Sequence, residues 1–252
     1  MYTDIIDLRE FYDSSLGQRT RRLLRRKIRA FWPDVRAMTV VGLGYATPYL
    51  GVLRAEAGRT IALMPAAQGC SPWPREGPGL VALSDETELP LPDMSVDRLL
   101  LVHALEGTEH LRPMMREIWR VMAGGARLLV VVPNRSGLWA RADWTPFGHG
   151  NPYSASQLRT LLRDSLFVPE RSEGALFLPP VRWRLLASMA AAWERFGQPG
   201  LATFAGVTLV EASKQIVAGV SRRVEARRLI LPLPGRAAPR ETVREKPRLA
   251  PQ

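Results

Sequence analysis

Two nearly unbroken apolar runs, Val96–Val102 and Ala126–Val132, constrain this chain more than any other feature. Neither alternates polar and apolar residues, so neither can lie on a sheet with one wet face. They read as strands buried on both sides. Between them, Leu111, Met114, Met115, Ile118, Val121 and Met122 fall on one side of a helix predicted over 111–122, stopped by Gly124-Gly125. A strand, a helix and a second buried strand make the repeating unit of a parallel sheet covered by helices. The rest of the chain extends the pattern. Strands are predicted at about 38–42, 60–64, 80–83, 166–178 and 206–212, and helices at 14–31, 48–57, 155–164 and 181–196. Ser154 is placed to cap the helix at 155–164. The fold class expected is α/β, a doubly wound, Rossmann-like sheet of seven mostly parallel strands with helices on both faces. Its divisions are an amphipathic basic helix within 1–34, the main domain over 35–218, and a basic, Pro- and Arg-rich tail over 219–252 that reads as disordered.

Ligands of such sheets bind beyond the carboxyl ends of the strands, which directs attention to residues 39–50. There Thr39-Val40-Val41 meets a tight turn at Gly42 and Gly44, with a helix opening near Pro48. Strand, glycine turn and helix N-terminus make a cradle for a nucleotide-like cofactor. A dinucleotide site would have a third glycine at 47 and an acid at the end of the second strand. The chain has Thr47 and Met64, so the NAD reading fails on both counts.

Composition narrows the field. The 252 residues include one cysteine, Cys70, and three histidines, which excludes an internal disulfide and argues against structural zinc. No apolar run reaches the roughly 18–20 residues of a membrane span, and the N-terminus lacks a signal-peptide layout, so the expected location is cytoplasmic. The net charge of +11 is concentrated at two places. Arg19–Arg29 holds seven cations and no acid, the segment 221–252 is net +6, and 30–220 is only +1. Leu16, Thr20, Leu23, Leu24, Ile28 and Phe31 form the apolar stripe of the first helix, with the arginines on the opposite, solvated face. Such basic segments can attract nucleic acid or anionic lipid. No aromatic stacking platform is evident beside them in the sequence, which ranks nucleic acid last among the partners.

The order of features from 38 to 133 resembles the class I S-adenosylmethionine-dependent methyltransferases, most closely the type 11 methyltransferase domains. Residues 84–102 (SDETELPLPDMSVDRLLLV) look like that group's acidic loop, Leu-Pro turn and fourth strand. His103-Ala104-Leu105-Glu106 looks like the segment after it, and 116–134 (REIWRVMAGGARLLVVVPN) like the next helix, double-glycine turn and fifth strand. Pro152–Leu158 resembles the start of the following helix. The resemblance implies S-adenosyl-L-methionine as cofactor, held around Gly42, Gly44, Tyr45, Ala46, Met64, Asp85, Glu86 and His103, with Asp85 toward the adenine. It also implies a methyl acceptor that the sequence does not name. His103 and His149 are the candidate bases, and the aromatic loop 133–153 (Trp139, Trp144, Phe147) is a candidate lid. The chain departs from the family at Gly42 and Met64, where acids would hold the methionine end and the ribose, and at Ala46 and Pro48 in place of glycines. Gln68, or backbone groups of the 64–74 loop, is the candidate substitute for the lost ribose acid. These departures motivate the alternative expectation, a catalytically degenerate methyltransferase fold that binds another protein through the 64–74 and 134–153 loops. The resemblance extends to bacterial methyltransferase-like proteins whose genes are associated with hydroxyacylglutathione hydrolases, which makes such a hydrolase a candidate partner.

Overall fold

The computed structural model describes residues 2–177, 179–180 and 204–215. The predicted helix at 181–196 and the tail at 219–252 lie outside the described residues. The order of elements is α1 (Ile5–Asp13), α2 (Ser15–Phe31), β1 (Thr39–Gly44), α3 (Thr47–Arg54), β2 (Arg59–Pro65), β3 (Val81–Ser84), β4 (Val96–Val102), α4 (Leu111–Val121), β5 (Met122–Pro133), α5 (Ala155–Asp164), β6 (Phe167–Ala175) and β7 (Val207–Lys214). The seven strands form one sheet in the order β3-β2-β1-β4-β5-β7-β6. The pairs β2–β3, β1–β2, β1–β4 and β4–β5 are parallel, and β7 runs antiparallel to both β5 and β6.

The apolar runs divide residue by residue between two faces, as the period of two in a strand requires. Leu100 and Val102 of β4, Leu129 and Val131 of β5 and Val40 of β1 pack with α1, α2 and α3. Leu99, Leu101, Leu128, Val130 and Val41 pack with α4 and α5 on the opposite face. Among the described residues, no helix is long and apolar enough to cross a membrane.

Several boundaries differ from the sequence expectation; α3, for one, ends at Arg54 rather than 57. α4 ends at Val121 and β5 begins at once with Met122, whose neighbour on β4 is Val96. The register then slips before Arg98 pairs with Arg127, so Gly124 and Gly125 (φ +77°) lie within the irregular start of the strand rather than stopping the helix. β6 closes at Ala175, short of the predicted 178.

The N-terminal segment was expected to hold one helix and holds two. Asp4 caps α1 by accepting from the Ile6 amide, and Ser14 caps α2 by accepting from the Gly17 amide. Leu8, Phe11 and Tyr12 of α1 are buried at helical spacing, and α1 packs in the same compact unit as the sheet. The elbow between the two helices closes so tightly that a Cβ at Gly17 would overlap the Phe11 carbonyl oxygen. Gly17→Ala should therefore lower folding stability by about 1–3 kcal/mol through overpacking. The measurement is urea denaturation, with Gly51→Ala as control because a Cβ there meets only the Arg25 guanidinium at 3.8 Å.

Candidate active site at the carboxyl ends of the strands

β1 and β4 run side by side to Gly44 and Val102, and the chain turns sharply after each. Gly44 adopts φ +83°, and a Cβ there would run into the Val102 carbonyl oxygen, so only glycine allows β1 to turn this close to β4. Gly42 is small for another reason. A Cβ there would sit 2.5 Å from the Ala46 Cβ and 2.8 Å from Leu50 Cδ1, both buried under α3. The acid expected at residue 42 thus has no room in this chain.

His103 follows β4 directly, with φ +51° and 4% exposure. It was expected to touch the cofactor and to be available as a base. Instead α1 covers it, and its Nε2 lies 2.9 Å from the Tyr12 hydroxyl, which also bonds the Tyr49 hydroxyl at 2.7 Å. Its Nδ1 stands 3.3 Å from Glu106 Oε1. Gln68 is buried, and its Nε2 donates to the His103 carbonyl at 2.8 Å. The backbone oxygen of Gln68 accepts from Ile5 at the start of α1 at 2.9 Å. Gln68, expected to replace a ribose ligand, is thus held by His103 and α1 through its Nε2 and backbone oxygen, while its buried Oε1 makes no hydrogen bond. Rings of Tyr12, Tyr45, His103, Phe147, Trp139 and Phe11 meet in successive edge-to-face or tilted contacts with centroids 4.8 to 6.1 Å apart.

Glu106 is 4% exposed, and neither of its carboxylate oxygens makes a hydrogen bond. A buried carboxylate that makes no hydrogen bond, with the His103 imidazole 3.3 Å away, is costly to the fold. Beside it lies a crevice of about 10 Å³ bordered by Tyr2, His103, Glu106, His149 and Gly150. That is room for about one water molecule. The structure thus brings the two candidate histidines to one crevice, with Glu106 between the elements that carry them.

The remaining expected positions are dispersed. Met64 is wholly buried in the apolar face under α1, α2 and α3. Ala46 is buried, and Tyr45 stacks on Tyr12. Asp85 is exposed and folds back to accept from the amide and hydroxyl of Thr87, which together hold its carboxyl below the usual range. Glu86 accepts from the Thr108 hydroxyl at 3.2 Å. In the 133–153 loop, Trp139 and Phe147 are the buried pins, while Trp144 is 48% exposed. Ser154 caps α5 in a reciprocal capping box with Gln157.

Around this centre lie two larger openings. One of about 540 Å³ carries Asp7, Glu10, Asp143 and His149. The other, of about 700 Å³, carries Arg9, Arg21, Arg25 and Arg75 with Tyr45 and Trp73. The basic helix was expected to present a solvated face without aromatic company. In the fold Lys27 pairs with Glu173 and Arg29 with Glu56, and two of the other arginines share a cavity with aromatic rings.

A parallel sheet of this order, with an antiparallel seventh strand and a glycine turn after β1, is a class I methyltransferase architecture. Residues 41–130 match the family described as methyltransferase domain. No curated protein sequence matches the chain. The fold is similar to that of an S-adenosylmethionine-dependent methyltransferase from Thermotoga maritima (15% identity, 84% of this chain and 96% of that one, TM-score 0.58). It is also similar to a chain in the complex of a methyltransferase activator with a candidate methyltransferase from Haloferax volcanii (17% identity, 86% and 100%, TM-score 0.58). A third is an S-adenosylmethionine-dependent methyltransferase from Archaeoglobus fulgidus (17% identity, 77% and 94%, TM-score 0.53). The fold is thus that of S-adenosylmethionine-dependent methyltransferases, residues 41–130 match the methyltransferase domain, and S-adenosylmethionine is the cofactor that these similarities imply.

The residues at the corresponding positions do not fit that cofactor in the arrangement described. Gly42 and Gly44 face their own chain, Met64 is sealed, and Tyr12 holds His103, leaving about 10 Å³ beside it.

The closure has a titratable signature. Burial raises the hydroxyl pKa of Tyr12, Tyr49 and Tyr2 above the ordinary value near 10, burial being the largest cause in each. The native state therefore holds these protons where the unfolded chain has lost them. Stability contributed by the neutral hydroxyls is fully present below about pH 10 and falls as pH rises beyond it. Tyr12→Phe should cost about 1–2 kcal/mol at neutral pH through its lost hydrogen bonds and should flatten the decline above pH 10. Denaturation curves across that pH range measure both effects.

Proposed function

We propose that this protein methylates an acceptor bearing an exchangeable proton, from an arrangement in which α1 has left the cradle, with His103 as the base. The observation that carries this reading is the file Glu106–His103–Tyr12 at the end of β4. The Glu106 carboxylate stands beside Nδ1, and Nε2 meets a hydroxyl that belongs to α1 rather than to the sheet. Withdrawal of Tyr12 leaves Nε2 with a free lone pair. An acceptor O–H or N–H placed where the Tyr12 hydroxyl now lies would give its proton to Nε2. Glu106 would favour the imidazolium that results, an interaction strengthened by exclusion of water. The same withdrawal removes the aromatic cover from Tyr45 and releases Ile5 from Gln68.

If only a minor open population binds cofactor, apparent affinity is reduced by that population. Calorimetric titration with S-adenosylmethionine and S-adenosylhomocysteine should show weak binding to the full chain. Tyr12→Ala should bind about tenfold more tightly as the closed state loses support. No binding to either protein at millimolar ligand removes the reading.

A second reading is supported by Gly42 and Met64, which leave two carboxylate positions of the cofactor site empty of charge. It holds that the domain binds another protein without turnover; a hydroxyacylglutathione hydrolase is the candidate suggested by sequence resemblance. The 134–153 loop exposes Leu138 and Trp144, at 52% and 48%, and large exposed apolar side chains together suit a partner surface. Replacing Leu138 by Asp and Trp144 by Ser should abolish co-purification with the hydrolase if this reading holds. Recovery undiminished by both changes counts against it.

A further inference from the structure

We propose that the cavity of about 700 Å³ between α1, α2, α3 and the 71–75 loop binds a small organic phosphate with a flat ring, of nucleotide size. Four arginines from three separate segments converge on it: Arg9 from α1, Arg21 and Arg25 from α2, and Arg75 from the loop. Against them the lining offers one carboxylate, Asp13, 3.8 Å from Arg75 in a solvent-exposed pair. Clustering guanidinium groups with so little counter-charge costs stability, and the strain is visible at Arg25. Burial, and after it the charge of Arg21, lowers its pKa. An anion in the cavity would offset the repulsion between these arginines.

The donors are held ready for one. Arg25 is fixed by a 2.6 Å bond from its Nε to the Pro48 carbonyl in the first turn of α3. Arg21 is held through one terminal nitrogen by Gln18, while its Nε is buried with no acceptor. A buried guanidinium nitrogen without an acceptor is an open position for an oxyanion. Thr47 and Pro48 of α3 also line the cavity, and no side chain caps that helix, so its positive end adds to the field. Planar forks in several directions suit the oxygens of a phosphate or diphosphate.

The other lining residues select the remainder of the ligand. Tyr45 and Trp73 border the same cavity, and an aromatic wall beside arginines suits a flat heterocycle. The volume is within the range of small-molecule pockets, roughly 300–1,000 Å³. Of the cofactor positions that the family resemblance implies, Tyr45, Pro48 and residues 71–73 of the 64–74 loop border this cavity, while Gly42, Gly44, Ala46, Met64, Asp85, Glu86 and His103 do not.

The test is calorimetry on the full chain with ADP, pyrophosphate, adenosine and S-adenosylmethionine as probes. ADP should bind, pyrophosphate should bind more weakly, and adenosine should show no heat at millimolar concentration. Arg21→Gln and Arg75→Gln should each weaken ADP about ten- to a hundredfold, and added salt should weaken it further. Arg75 lies on an exposed loop, so its variant keeps the measurement available if Arg21→Gln fails to fold. The proposal is overturned if neither ADP nor pyrophosphate binds, or if ADP binds equally to the wild type and Arg75→Gln. It is also overturned if S-adenosylmethionine displaces ADP and loses affinity in parallel with it in the arginine variants, because the cavity would then be the cofactor's. Failure of S-adenosylmethionine to bind the Tyr12→Ala protein would remove the methyltransferase reading and leave this one standing.

Discussion

The contact between the Tyr12 hydroxyl and His103 Nε2 joins the first helix to the point where the chain leaves β4. Much of the upper face of the molecule is arranged around it. Tyr49 completes the bond network from α3, Gln68 fixes the His103 carbonyl from beyond β2, and Phe147 stacks on the imidazole from the loop beyond β5. Segments from α1, α3, the chain beyond β2 and the loop beyond β5 thus converge on His103 and its partner Tyr12. His103 itself has a left-handed backbone, φ +51°, which a non-glycine residue adopts at a cost and holds only when its surroundings fix it.

This arrangement depends on the sheet beneath it. Side-by-side parallel strands bring the ends of β1 and β4 together, and Gly44 lets them come within backbone contact. The tightness that makes a narrow cradle also makes it easy to fill. Small residues at 42, 44 and 46 draw α3 down onto β1, and a short aromatic helix then suffices to close the remaining space. Where acids would keep a cradle wet and open, Gly42 and Met64 let apolar packing continue through it. A closed cradle is therefore a consequence of these residues, and α1 is its final layer.

The sheet was legible because its signal is local and repeated. Val96–Val102 and Ala126–Val132 could only be two-faced strands, and the periodic helix between them fixed their parallel relation. The capping pair Ser154 and Gln157 was equally clear. The site was less legible. His103 and Glu106 could be placed at a strand end, but their burial depends on α1. The residues of α1 lie in a polar, acidic stretch, where Leu8, Phe11 and Tyr12 at helical spacing and the capping Asp4 were the available signals. Arg21 and Arg25 illustrate the other difficulty. Helical periodicity put them on the polar face, yet only the path of the 71–75 loop, which has no periodicity, turns that face into the wall of a cavity.

The distribution of charge around α1 bears on how it could move. Asp7 and Glu10 border the acidic opening on one side, and Arg9 borders the basic cavity on the other. Its buried side is held by apolar contacts, two hydroxyl bonds and one backbone bond at Ile5. Hydrogen bonds of this kind each contribute about 1 kcal/mol net, so apolar burial of Leu8, Phe11 and Tyr12 is the larger restraint. An anion bound among Arg9, Arg21 and Arg25 would tie α1 to α2 and strengthen the closed state. A cation in the acidic opening would engage α1 on its other side, through Asp7 and Glu10. On the proposed withdrawal of α1, the two openings would be energetically linked to the cradle through one helix: any ligand that prefers one position of α1 must shift access to His103 by the amount of that preference.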